Sequence, residues 1–207
     1  MTTRALLSCG MAAGPVYVLV GLAQVLTRPG FDVRRHALSL LSNGDWGWVQ
    51  IATFIVCGAL VIAGAAGVRW AIHPGRAGTW GPILLTVYGL GLVGAGVFRA
   101  DPGQGFPPAT PLTTAMTTSG LLHFVCGGIG FYALIAACVV FARRFAALGQ
   151  RAWATYSAVS GVGFFVSFVF IASGQALPAI ILGFYVAVVW IWAWHGALHR
   201  RLREALR

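Results

Sequence analysis

Lysine is absent from this sequence, and acidic residues number only four, Asp32, Asp45, Asp101 and Glu204, in a chain of 207. Charged residues make up 9% of the chain and hydrophobic ones 58%, too lopsided a ratio to cover a water-soluble globule, so most of the surface has to face lipid. No acidic residue falls deep within an apolar stretch, which leaves a proton- or sodium-coupled transport path without its usual buried carboxylates. There is no phosphate-binding glycine loop, no nucleophile elbow and no dinucleotide fingerprint in the context each requires. Cysteine is scarce too. Cys9, Cys57, Cys126 and Cys138 lie inside or at the edges of apolar stretches without CxxC spacing, which reads as small buried hydrophobes and implies no disulfide framework.

What fills the chain instead is a series of apolar runs, each long enough to cross about 30 Å of hydrocarbon at roughly 20 residues per crossing. Six are drawn, over 5–26, 48–68, 80–98, 120–141, 153–173 and 179–198. In lipid, backbone N–H and C=O groups have to be satisfied within the segment, so each run is a helix, and the chain is an all-α integral membrane bundle forming a single domain over 1–207. Trp46, Trp48, Trp70, Trp80 and Trp153 fall near the proposed ends, where amphipathic rings favour the headgroup region. Arg4 followed by apolar residues resembles a signal peptide. The run continues to Leu26, too long for a typical cleaved segment, so it reads as the first retained span.

All fourteen basic residues are arginines, and the net charge of +10 would suit a nucleic-acid partner. Their placement argues otherwise, because they sit at the ends of spans rather than in one patch. With six crossings, ten arginines fall on the side of the termini and four on the other. That asymmetry puts both termini in the cytoplasm of a bacterial inner-membrane protein. The long loops 27–47 and 99–119 and the connection at Ser173, Gly174 and Gln175 then lie outside, where a site would be built. The pairs Gly10 with Gly14 and Ser157 with Gly161 are small-residue spacings that let helices approach closely.

The first outer loop, from Phe31 to Gly44, reads as a short interfacial helix started by Asp32 and stopped by Gly44. On a 3.6-residue period His36, Ser39 and Asn43 share a polar face, Arg34 and Arg35 stand beside it, and Leu38 and Leu41 dip into the bilayer. One reading has this face lining a cleft, with the arginines holding an anionic headgroup and His36 moving a proton. The other has the arginines meeting lipid phosphate without specificity. In the second outer loop, Thr110 and Pro111 suit the start of the fourth helix, which would then begin well above the apolar zone. His123 enters one turn below the boundary, and an ionisable group inside a membrane is a functional candidate or an interhelical hydrogen bond. His36, Asp101 and His123 would share the outer face. They suit acid–base work; as a metal set they are scattered and opposed by the arginines, so no metal ligand is assigned and the cofactor content stays open. Gln50 and Gln175 are polar groups at the outer boundary that line a cleft or bond other helices. His195 and His199 are expected at the interface, preceding the basic tail, with a shared ligand or haem as the alternative.

These residues resemble the bacterial and archaeal membrane family catalogued as domain of unknown function 998. The likeness rests on Gly14-Pro15, Phe31-Asp32, Arg35-His36, Ser39-Leu40-Leu41-Ser42, the segment from Gly44 to Gln50, Phe98, Asp101-Pro102, Gly105-Phe106-Pro107-Pro108 and Ser119-Gly120 with His123. It covers essentially the whole chain and implies a multi-span protein of this size. A looser likeness in architecture, to six-helix proteins that remodel lipids of the glycosylphosphatidylinositol pathway, implies lipid handling.

Together these readings favour a bundle with an outer cleft for a lipid or other amphiphile. Arg34, Arg35, Asn43, Gln50 and Gln175 would contact the ligand, and His36, Ser39, Asp101 and His123 would supply chemistry. If the protein is an enzyme, lipid hydrolysis or acyl transfer with Ser39 as nucleophile is the first expectation. The rivals are a noncatalytic packing or interaction subunit, acting through Gly10, Gly14 and Gly161 and compatible with a homo-oligomer, and a transporter or haem-binding redox protein.

Overall fold

The computed structural model describes residues 1–175 and 177–206. It contains six long helices: α1 (Thr3–Thr27), α2 (Gly47–Ile72), α3 (Arg76–Val97), α4 (Thr118–Ala147), α5 (Arg151–Ala172) and α6 (Pro178–Glu204). Each is long and apolar enough to cross a membrane. Their bounds match the six expected spans, and α2, α4 and α6 run four to six residues further at the end that carries the basic residues.

The helices form a ring in chain order, each packed on its neighbours in sequence, and α6 closes the ring against α1 with a lighter contact to α2. Residues 28–46 and 98–117 and the α5–α6 connection gather at one end, the termini and the α2–α3 and α4–α5 connections at the other. The perimeter is apolar: Leu19, Leu90, Val162 and Val186 are all more than half exposed, the inverse of a soluble bundle. Trp46, Trp48, Trp70 and Trp80 are exposed near helix ends, as headgroup-level aromatics are. Trp153 differs. It tucks under Arg201, whose guanidinium lies 4.8 Å from its ring centre.

With lipid on the outside, the hydrophobic effect does little to hold helix against helix, and close van der Waals contact takes over. Gly58 meets Gly89 across α2 and α3, Gly91 meets Gly130 across α3 and α4, and Gly10 meets Gly64 across α1 and α2. The expected small-residue pairs take part. Gly14 packs on Trp192 and Gly161 on Cys138, while Ser157 is buried and accepts from Trp194 Nε1 at 3.0 Å.

Two features differ from expectation. The first loop holds a five-residue 3₁₀ turn, Leu38–Ser42, in place of an interfacial helix. Asp32 closes an Asx turn on the Arg34 N–H and gives its own N–H to His36, which ends helical repetition before a second turn can form. Leu41 is consequently buried in protein, and Leu38 packs over Gly21. His195 and His199 are not interfacial: neither has any exposed surface. Because α6 continues to Glu204, both rings fall within the bundle, and the missing Cβ atoms of Gly10 and Gly64 make the slot that takes His199. A Cβ on Gly10 would stand 2.2 Å from that ring, so the slot fits it closely.

The Gly10–Gly64 crossing is a direct test of this packing. A Cβ at Gly64 would lie 2.7 Å from both Gly10 Cα and His199 Nε2, so Gly64→Ala is expected to destabilise the fold by about 1–3 kcal/mol. At Gly163 an added Cβ meets nothing within 4 Å, and Gly163→Ala is expected to be neutral or slightly stabilising. Unfolding in mixed micelles measures both; equal stabilities would remove the packing account.

Candidate functional site

The candidate site is a cavity of about 160 Å³ in the half of the bundle nearest the long loops. All six helices contribute to its wall, including Tyr17 of α1, Phe54 of α2, Tyr88 of α3, His123 of α4, Phe168 of α5 and Trp192 of α6, and residues 37–39 form its roof. The lining is mainly aromatic and aliphatic. Phe131 packs edge-on against Phe164 and Phe168, with centres 5.1 Å away in each case. A largely apolar concavity with a few polar atoms is the usual form of a small-molecule site.

The roof is held by the two long loops through bonds to backbone. The Asp32 N–H donates to His36 Nδ1 at 2.9 Å and His36 Nε2 donates to the Gln104 carbonyl at 3.0 Å, which fixes the tautomer with its proton on Nε2. The His36 carbonyl accepts from the Tyr185 hydroxyl of α6 at 2.8 Å. Phe31, His36 and Phe106 cluster with ring centres 5.2 to 5.5 Å apart. Asn43 Nδ2 donates to the Leu40 and Ala100 carbonyls, and Arg28 donates to the Leu41 and Asn43 carbonyls while its guanidinium lies 5.4 Å from the centre of Phe106. Gln104 is held at φ +57°, a left-handed conformation uncommon outside glycine, while its N–H donates to the Leu112 carbonyl.

Asp101 fixes the start of α4. Its carboxylate accepts from both the N–H and the hydroxyl of Thr117, and Thr117 in turn caps the Gly120 N–H at 3.1 Å. This capping pins the helix start at Thr118, so α4 does not begin at Pro111 as the sequence suggests. A Cβ on Gly120 would fall 1.9 Å from the Asp101 carboxylate, so a side chain there would push the carboxylate off Thr117. One turn further on, His123 Nδ1 donates to the Ala95 and Phe98 carbonyls, both at 2.8 Å. With the proton on Nδ1, His123 Nε2 is left as an acceptor on a ring that lines the cavity.

The expected site residues therefore separate into groups. Ser39 and His123 line the cavity. His36, Asn43 and Asp101 stand behind it and hold its roof and the head of α4. Gln50 is buried and accepts from Gln24 Nε2 at 2.8 Å, an α1–α2 bond. Arg34, Arg35 and Gln175 are exposed, and Arg34 pairs with Asp32 at 3.3 Å. The Arg34 backbone N–H holds the Asp32 carboxyl below the usual carboxylate range. Among the described residues no hydrogen bond joins Ser39, His123 and Asp101 to one another, and no group of three or more His, Cys, Asp or Glu side chains is placed to hold a metal. Sequence reasoning missed Tyr17, Tyr88, Trp192 and Arg28. The signal for the first two was available, since a tyrosine far from a span's ends is out of place in lipid.

Six membrane-crossing helices around a cavity roofed by two interlocked loops define a multi-pass membrane protein with an internal small-molecule-sized site. The family model described as Protein of unknown function (DUF998) matches residues 11–200, and the chain belongs to that family. No curated protein and no solved structure matches it.

Two outcomes test the roof. Asp101→Ala removes both bonds to Thr117, and faster amide exchange at Thr117 and Gly120 is expected, with a stability loss of about 1–3 kcal/mol. The depressed Asp32 value means that the Asx turn is fully formed above the ordinary carboxylate range and is lost only as the pH falls through the lowered one. Amide exchange at Arg34 followed against pH reads this; an opening midpoint at or above the ordinary range would contradict the bond.

Proposed function

We propose that the protein binds a membrane lipid or other amphiphile, part of which occupies the cavity beneath residues 37–39. The observation that carries this reading is a mainly apolar space of about 160 Å³ lined by all six apolar helices, in which Gly127 and Gly128 present no side chain. Arginine asymmetry supports a bacterial inner-membrane protein with its termini in the cytoplasm, which places the cavity in the outer leaflet. Arg34 and Arg35 then meet lipid phosphate at the outer surface rather than the occupant of the cavity. With Asp101 committed to Thr117, the arrangement of Ser39 and His123 supports binding over acyl transfer.

An added Cβ at Gly127 meets nothing within 4 Å, so Gly127→Leu fills the space while the fold tolerates it. Native mass spectrometry of the full chain is expected to find copurifying lipid on the wild type and a several-fold lower occupancy on Gly127→Leu. Equal occupancy on a folded variant removes this reading.

A further inference from the structure

One wall of the cavity carries polar atoms without partners. Tyr17, Tyr88 and Trp192 line it at 8%, 2% and 3% exposure, and the Trp192 ring centre lies 5.3 Å from that of Tyr17 and 5.6 Å from that of Tyr88. Among the described residues neither hydroxyl nor Trp192 Nε1 makes a hydrogen bond. The neighbouring aromatic hydroxyl is different, because Tyr185 already donates to the His36 carbonyl. The hydrocarbon around the bundle supplies no acceptor, so three unpartnered donors on residues of one wall are matched by an oxygen inside the cavity. Trp192 can only donate, which makes the group it meets an acceptor.

Charge and size narrow the class. Among the described residues no Arg, Asp or Glu lines the cavity, so a charged head there would have no carboxylate or guanidinium opposite it, and the bound head is neutral. An apolar protein cavity of about 150 Å³ accepts benzene, and this one measures about 160 Å³. Its walls offer aromatic faces and edges, which suit a flat ring.

We propose, resting on the amphiphile reading above, that the cavity takes a neutral lipid whose head is a single carbonyl-bearing ring of benzoquinone size. The ring oxygen accepts from Tyr17, Tyr88 and Trp192, and the tail passes over Gly127 and Gly128. His123 Nε2 and Ser39 Oγ stand nearer the roof, where they complete the polar lining.

The test uses the purified full chain in nanodiscs with two probes, decyl-substituted 1,4-benzoquinone and decylbenzene, which share the tail and differ in ring oxygen. Calorimetry is expected to give at least about tenfold tighter binding of the quinone, the value of one hydrogen bond to a buried neutral acceptor. Tyr17→Phe and Tyr88→Phe, which keep the ring and delete the hydroxyl, are each expected to weaken quinone binding by about threefold to tenfold and leave decylbenzene unchanged. Equal affinity of the wild type for both probes, or quinone affinity unchanged in both folded variants, overturns the carbonyl head and leaves the amphiphile reading standing. If neither probe binds while copurified lipid still occupies the wild type, the ring head is likewise overturned. If neither probe binds and no lipid copurifies, both readings fall together. The wild-type comparison stands even should a variant fail to fold.

Discussion

A loop packed against a membrane bundle has to satisfy its own backbone, and in this protein the imidazole of His36 joins the two long loops in doing so. It takes an N–H from its own loop, gives one to the carbonyl of the other, and its backbone carbonyl is held by α6. That three-way junction ties residues 37–39 to both the second loop and α6, so the roof of the cavity leans on it. Arg28 and Asn43 repeat the device a few ångströms along, each turning side-chain donors toward loop carbonyls.

The interior shows the complementary solution. With few polar groups and no hydrophobic drive toward lipid-facing partners, the helices interlock through glycine, and bulky rings fill the slots that glycine opens. His199 against Gly10 and Trp192 against Gly14 are both of this kind. The cavity is where that filling stops: along α4 an added Cβ at Gly127 would touch nothing, and the rings of Phe131, Phe164 and Phe168 lean on one another around the space.

Legibility in the sequence followed the physics. Hydropathy sees length and polarity, so six helices could be read directly, while the start of α4 and the reach of α6 could not; His36, Asp101 and His123 fall at the end of the bundle where the long loops and the cavity lie. Residue roles were harder. Period arguments assumed a regular helix over 32–43, but a side chain that bonds its own loop's backbone defeats periodicity, and no pattern in the sequence announces it. Asp101 looked like an acid–base partner because its capping of Thr117 spans sixteen residues of irregular chain. Tyr17, Tyr88 and Trp192 come from three helices far apart in the chain, so only the closed ring brings them to one wall.

That ring has a consequence for biogenesis. Helices emerge from the ribosome in order, and each from α2 to α5 can dock on its predecessor as it inserts, but α1 waits with the notches at Gly10 and Gly14 open until α6 delivers His199 and Trp192. The cavity, whose wall needs both the first helix and the last, therefore does not exist in any nascent intermediate. A chain that stops short of the sixth helix therefore lacks one wall of that space and leaves the slots at Gly10 and Gly14 unfilled.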